Sequence, residues 1–306
     1  MRVLVTGASG FIGSAVATTL KSRQHTVIGI GRSEDCPANC DQWLTLNLLA
    51  NENLNAIESA KADCLIHCAW DATPGTYWTT PKNLEWVAAS LKLIEAFRSG
   101  GGRRVVIAGT SAEYRWDGEA TLSEADSPLE PDSLYGTCKN SLRQIVESWA
   151  KTNDISWAWG RVFCPFGKHE KPQRLIPKLI RRLKEEETLP FDSGSLIRDF
   201  LSVEDLADAF VTLAQSDVQG PINLASGRDT SIRELLTIVA EHLGTTEKIQ
   251  FDVQPDPKGQ PKRIVACVKR LNNELNWQPK ITLNESLANA CDWWNRSSTA
   301  FRDRPA

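Results

Sequence analysis

Tyr135-Gly-Thr-Cys-Lys139 sets a phenol and an ammonium four residues apart, on one face of any helix that contains them. Far upstream, Gly7-Ala-Ser-Gly10-Phe-Ile-Gly13 follows the apolar run Val3-Leu4-Val5 and opens a helical pattern. Small residues there permit a tight turn and let a pyrophosphate approach a helix N-terminus. A dinucleotide site joined to a phenol and an ammonium is equipment for redox chemistry on a carbinol or carbonyl. Thr110-Ser111 ends a strand one βα repeat before the phenol, where the Thr110 hydroxyl would give the reacting oxygen a second hydrogen bond. Thr110, Tyr135 and Lys139 are therefore the candidate catalytic residues. A lysine ammonium and a nicotinamide cation should lower the phenol's pKa from about 10 toward working pH. Alone, each motif has a plainer reading: Tyr-x-x-x-Lys is common on surface helices, and a glycine-rich βα turn need hold no ligand.

The end of the second strand bears on which dinucleotide. An NAD site usually offers the ribose a carboxylate about 20 residues past the glycines, whereas an arginine accommodates a 2′-phosphate. Here the strand ends Gly29-Ile30-Gly31-Arg32-Ser33 with no acid at its tip. NADP is favoured, with Arg32 as its contact. NAD stays open, because Glu34-Asp35 follows closely and Arg32 could be a solvated surface residue.

Short β-branched runs alternate with amphipathic stretches, the pattern of parallel strands joined by crossover helices. Strands are expected near Arg2 to Thr6, Thr26 to Gly31, Asp63 to Cys68, Arg104 to Gly109 and Ile155 to Val162, and helices near Phe11 to Ser22, Asn83 to Arg98 and Leu134 to Lys151. After Arg161 the punctuation changes. Cys164-Pro-Phe-Gly167, Pro172, Pro177, Pro190 and the Gln254 to Pro261 stretch interrupt the repeat. A strand over Phe200 to Val203, a helix over Glu204 to Gln215 and a strand over Pro221 to Ala225 would return to the first unit. The predicted fold is α/β: a Rossmann-type doubly wound parallel sheet (1–165 plus about 199–228) with a smaller, irregular C-terminal substrate lobe (about 166–198 plus 229–306). The polar tail from Asn295 to Ala306 is expected to fray.

With 306 residues and 41% apolar content, the chain can bury one large core or two unequal ones. No stretch approaches a membrane span, and the Val3-Leu4-Val5 run is too short for a signal-peptide core. The expected compartment is the cytoplasm. Eight cysteines without a Cys-x-x-Cys fit that setting as free thiols, and the four histidines do not cluster with them, so no metal site is expected. A net charge of -3 provides no field for nucleic acid. Any anion site must be local. Leu84, Val87, Leu91 and Ile94, with Leu142, Ile145, Val146 and Trp149, give two helices apolar residues on more than one face. That surplus could pair them with their copies in a homodimer, or be buried within one subunit.

These residues together resemble the extended short-chain dehydrogenases/reductases of the NAD(P)-dependent sugar epimerase/dehydratase type, over nearly the whole chain. The marks are the glycine motif, His67-Cys-Ala69, Asn83, Gly109-Thr-Ser-Ala-Glu-Tyr114, Tyr135-x-x-x-Lys139, Arg198-Asp-Phe-Leu-Ser-Val-Glu-Asp205, Asn223-Leu-Ala-Ser-Gly227 and Leu275-Asn-Trp277-x-Pro279. The resemblance implies a cofactor site of Gly7, Gly10, Phe11, Ile12, Gly13, Arg32, Asn47, Leu48, Cys68, Ala69, Tyr135 and Lys139, with Lys139 also holding the nicotinamide ribose and Asn47 near the adenine. It implies a nucleotide-sugar substrate met by Ser111, Arg174, Arg198 and Arg263, the last two on its diphosphate, since arginine pairs bidentately with phosphate oxygens.

Departures narrow the activity. Sugar 4,6-dehydratases of this type carry Thr-Asp-Glu where this chain has Thr110-Ser111-Ala112, and Glu113, one step on, would face elsewhere, so dehydration is not expected. Cys164 stands where an asparagine is usual and Cys267 where an aspartate is common. The reading favoured is NADPH-dependent reduction of a keto group, at C4, on a nucleotide-activated deoxy sugar. A 4-epimerase that retains NAD is the alternative. A non-catalytic NAD(P) sensor or scaffold is the third, and it has no reason to keep a proton donor matched to an ammonium.

Overall fold

The computed structural model describes residues 1–50, 54–116, 118–185 and 187–297. Six strands, β1 (Arg2–Thr6), β2 (Thr26–Gly31), β3 (Gln42–Thr45), β4 (Cys64–His67), β5 (Arg104–Thr110) and β6 (Ser156–Val162), join a seventh over Gly220–Leu224. They form one all-parallel sheet in the order Gly220–Leu224, β6, β5, β4, β1, β2, β3. The helices are α1 (Phe11–Ser22), α2 (Asn55–Ser59), α3 (Lys82–Ser99), α4 (Leu134–Asn153), α5 (Leu175–Glu185), α6 (Val203–Gln215), α7 (Ile232–Leu243), α8 (Lys269–Asn273) and α9 (Leu283–Ser297). The expected Rossmann-type sheet is present, with chain direction across it reversing between β1 and β4.

Unbroken apolar runs make these strands because both sheet faces are covered. On β1, Val3 and Val5 point into a core shared with Val16, Ala17 and Leu20 of α1 and Leu206 and Phe210 of α6. Leu4, between them, points into the opposite core with Leu93 and Phe97 of α3 and Leu142 and Val146 of α4. The predicted strands and helices stand within two residues of their observed bounds. β3 and α2 were not anticipated. Four residues of Gln-Trp-Leu-Thr give little alternation to read, and β3 is positioned by Trp43, whose ring fills the space that a Cβ on Gly29 or Gly31 would need.

Beyond β6 a third core gathers Ile176, Leu179, Leu183, Leu235, Val239, Leu287 and Trp294 from α5, α7 and α9, with Phe166 and Phe200 from two short strands, Cys164–Phe166 and Phe200–Ser202. Among the described residues three small strand sets stand apart from the seven-stranded sheet, one of them Ile197–Arg198 between Thr230–Ser231 and Arg263–Ile264. Buried Asp199 fixes this seam by accepting from the Ser226, Gly227 and Ala266 amides and the Ser226 hydroxyl. Leu271, Leu275 and Trp277 rejoin the sheet-side core of α1 and α6, so this stretch of the 229–306 segment packs on the first unit. Of the tail expected to fray, Asn295 to Ser297 close α9, and 298–306 lie outside the described residues. Among the described residues no helix is long and apolar enough to cross a membrane.

Candidate active site

β1 ends at Thr6 and β4 at His67, so the glycine turn lies at the point where the sheet reverses. Gly7 has φ +67°, and a Cβ on it would stand 3.1 Å from the Ala69 backbone; one on Gly13 would stand 2.1 Å from the Gly7 carbonyl oxygen. Only glycine lets the turn, α1 and the Cys68-Ala69 segment close to this degree. α1 begins at Gly10 without a side-chain cap and without an acid in its first turn. Its N–H groups and positive dipole end are thus left for an anion, which is how a dinucleotide pyrophosphate would be held. Phe11 opens that helix, and Ile12 and Cys68 line the adjoining cavity. Arg32 is exposed just past β2; Leu48 packs on the α3 and α4 core, and the Asn47 side chain accepts from the Leu49 amide at 3.2 Å.

His67 holds this wall from beneath. Its Nδ1 lies 2.7 Å from the Thr6 hydroxyl and its Nε2 2.8 Å from the Ser90 hydroxyl. Ser90 spends its own proton on the Trp86 carbonyl and must accept, so His67 donates from Nε2 and accepts at Nδ1. Thr6 in turn accepts from the Ala69 amide. Burial, helped by the Lys139 charge, pulls the His67 pKa down to about 3.

One cavity of about 840 Å³ runs from Ile12 and Cys68 past Thr110, Ser111, Tyr135 and Lys139 to Arg174 and Arg198. Ser133 caps α4 by accepting from the Gly136 amide, and the Tyr135 amide is fixed to the Trp78 carbonyl. A Cβ on Gly136 would stand 2.2 Å from the Ala112 carbonyl oxygen, so glycine there lets α4 lie against the end of β5. The Tyr135 ring meets Trp70, Tyr77 and Trp78 edge-on at 5.0 to 6.2 Å. Lys139 donates to the Ala108 carbonyl at 2.9 Å and stands 3.8 Å from the Trp70 ring centroid.

The lowering expected of Tyr135 combined the ammonium with a nicotinamide cation, whereas the apolar surroundings of the protein alone act in the opposite direction. Burial pushes the phenol up to about 12, with the hydrogen-bonding Thr110 hydroxyl pulling the other way. The same burial brings the Lys139 ammonium down to about 7, against the pull of Glu113. Desolvation penalises whichever form is charged, and here it exceeds the pairing assumed from the spacing. At neutral pH the phenol is therefore a proton donor.

Glu113 does face away from this centre. It is wholly buried, accepts from the Thr110 amide and the Trp159 ring N–H at 2.8 Å each, and pairs with Arg161 at 2.8 Å. Arg161 extends the network through the Tyr114 hydroxyl to Asn223, whose amide donates to the Leu122 and Cys267 carbonyls. Glu113 thus anchors the turn that carries Thr110.

The substrate-side predictions separate. Ser111, Arg174 and Arg198 line the cavity with Cys164, whose thiol burial pushes up to about 12. Arg263 is not among the lining residues. Its guanidinium forks onto Asp229 and donates to the Glu119 carbonyl and Thr121 hydroxyl, while its neighbour Ile264 faces the cavity. An alternation of one residue along a two-residue strand decides which side chain points inward.

Residues 3–225 match the model of the NAD dependent epimerase/dehydratase family. The chain belongs to that family. It is 27% identical over 312 residues to a UDP-glucose 4-epimerase of Corynebacterium glutamicum, covering 92% of each chain. It is also 27% identical over 252 residues to the dTDP-6-deoxy-L-talose 4-dehydrogenase (NAD(+)) of Aggregatibacter actinomycetemcomitans, covering 79% of this chain and 91% of the relative. The UDP-glucose 4-epimerase of Thermus thermophilus, solved in complex with NAD, superposes with a TM-score of 0.84 at 25% identity, over 96% of this chain and 99% of the other. The extended short-chain dehydrogenase/reductase resemblance is thereby borne out.

Within this family frame, two groups of cavity residues went unread in the sequence. Trp70, Tyr77 and Trp78 wall the phenol, and their signal was there, in the aromatic density between β4 and α3. Glu170 also lines the cavity and had no signal, being one charge in the polar run Lys168-His-Glu-Lys171.

Proposed function

We propose that this chain reduces a keto group, at C4, on a nucleotide-activated deoxy sugar, with NADPH as the hydride source. The observation that carries this reading is the protonated Tyr135 phenol beside Thr110, in one cavity with the Arg174 and Arg198 guanidiniums. The two hydroxyls hydrogen-bond the carbonyl oxygen, and Tyr135 gives it a proton as it gains charge. When bound, the dinucleotide supplies the hydride to the carbonyl carbon. Lys139 would hold the cofactor's ribose and, with its titration near neutral, could pass a proton toward Tyr135. Trp70, Tyr77 and Trp78 keep water from the reacting atoms. Arg174 and Arg198, from the lobe of 166–198 and 229–306, hold the diphosphate, and that remote binding energy keeps the keto carbon in place.

NADP rather than NAD is supported by exposed Arg32 at the tip of β2 and by the lack of an acid there. A second reading, a 4-epimerase that retains NAD, is favoured by the Corynebacterium and Thermus relatives, both named as UDP-glucose 4-epimerases, the latter solved with NAD. Glu113, spent on Arg161, offers no acid or base for dehydration. The non-catalytic sensor has no comparable support. Leu84 and Ile145, 59% and 43% exposed on α3 and α4, support a homodimer through those helices. The reading places the enzyme in the cytoplasm, with no nucleic-acid or membrane partner. Mass spectrometry of cofactor released from denatured protein separates the readings. An empty site that takes up NADPH is expected, and retained NAD would transfer the assignment to the epimerase.

A further inference from the structure

One oxygen of the Glu170 carboxyl is left unsatisfied among the described residues. It follows the strand Cys164–Phe166 through a turn in which Gly167 has φ +144° and His169 φ +62°, conformations that non-glycine residues such as His169 rarely adopt. The side chain is 5% exposed, lines the large cavity, and its Oε2 has no hydrogen-bond partner among the described residues. A buried polar atom without a partner costs stability unless something else satisfies it. Arg174, the cation whose charge acts on it, does not bond Oε2, and the Gly167 amide serves the other side of the carboxyl. Cys164 on the adjoining wall offers only a weakly bonding thiol.

Resting on the nucleotide-sugar reading above, we propose that Glu170 is a specificity-determining residue that hydrogen-bonds a hydroxyl of the substrate's glycosyl ring. A hydroxyl both donates and accepts, so it satisfies Oε2 whether or not the carboxyl carries its proton. An ammonium substituent would face Arg174 and Arg198 in the same wall, and a second carboxylate would face Glu170 itself. Burial favours the protonated acid and moves its pKa up to about 8, so at neutral pH Glu170 can donate as an amide would. Glutamine should therefore replace it, and leucine should not.

Calorimetry with NADP present tests this, using UDP, CDP, GDP and dTDP, each alone and as its glucose conjugate. In the unmutated protein one conjugate should bind more tightly than its own diphosphate. Glu170→Leu should remove about tenfold of that gain, the value of one buried hydrogen bond, and leave the bare diphosphate's affinity unchanged. Glu170→Gln should stay within about threefold of the parent. Because leucine removes an unpartnered polar group, its melting temperature should equal or exceed the parent's. A Leu variant that keeps the conjugate's gain, or that loses diphosphate and conjugate alike with a lowered melting temperature, overturns the proposal, as does a Gln variant as weak as Leu. Failure of every diphosphate to bind the unmutated protein is a different outcome, since it removes the nucleotide-sugar reading itself.

Discussion

The two ends of the cavity are built by different means. At the end proposed for the cofactor the shape is set by backbone: Gly7, Gly10 and Gly13 draw β1, α1 and the Cys68-Ala69 segment together, and the helix N-terminus is left open for an anion. At the substrate end the shape is set by side chains from short, irregular pieces, among them Cys164, Glu170, Arg174 and Arg198. Backbone geometry serves any ligand with a pyrophosphate, whereas side chains can be exchanged one at a time. The difference fits a family whose relatives include one named as a 4-epimerase and one named as a 4-dehydrogenase.

Two buried glutamates sharpen the contrast, and the largest expected effect lies with the first. Glu113 is saturated by Arg161, Trp159 and the Thr110 amide, all at 2.8 Å. Glu113→Ala would leave Arg161 charged and unpaired in the core, at a cost of about 3–5 kcal/mol. Denaturant unfolding should show that loss, and a change under about 1 kcal/mol would mean the pair is not what holds the Thr110 turn. Glu170, unpaired at the cavity wall, is expected to show no such loss.

Tyr135→Phe tests the reacting centre between the two ends. The ring and its contacts with Trp70, Tyr77 and Trp78 remain while the proton donor goes. Turnover should fall at least ~10²-fold with cofactor affinity nearly intact. Near-normal turnover would leave Tyr135 with a packing role only.

A pH titration of stability probes the cofactor end. The His67 pKa falls from 6.5 to about 3 on folding, so between those values the unfolded chain binds the extra proton. Its contribution is complete above pH 6.5 and is lost as pH falls toward 3, by at most about 1.4 kcal/mol per pH unit. Protonation would force a donor toward Thr6, whose hydroxyl also receives the Ala69 amide. His67→Gln should flatten the pH profile in that window, and an unchanged slope would assign the acid sensitivity to other groups.

How much could be read from the sequence follows the same division. Strands buried on both faces, a glycine turn and an i, i+4 pair are local patterns, and the sheet, the cofactor wall and the Tyr135–Lys139 face all came from them. The Tyr135 pKa did not, because its direction depends on aromatic residues about 60 positions away that only the fold brings near. Nor did Arg263, since a two-residue strand has no periodicity from which to tell its inward face from its outward one. Glu170 shows the same limit: nothing in its neighbours' types says that its turn tucks it inward.

The substrate-end arginines give the smallest effect and the finest distinction. Arg198 lines the cavity, hydrogen-bonding among the described residues only the Ile197 and Lys262 carbonyls, and burial lowers its pKa, as expected of a cation short of counter-charge. Arg263 has its counter-charge in Asp229. Arg198→Ala should therefore raise the KM for the nucleotide sugar by about tenfold or more, with NADPH affinity almost unchanged because the two anion sites are separate. Arg263→Ala should act weakly and through position, since Ile264 beside it faces the cavity. Steady-state kinetics on both variants decide the matter. Equal, large rises in KM would return Arg263 to the diphosphate and require the Asp229 pair to open on binding; no rise for Arg198 would take the diphosphate away from this wall.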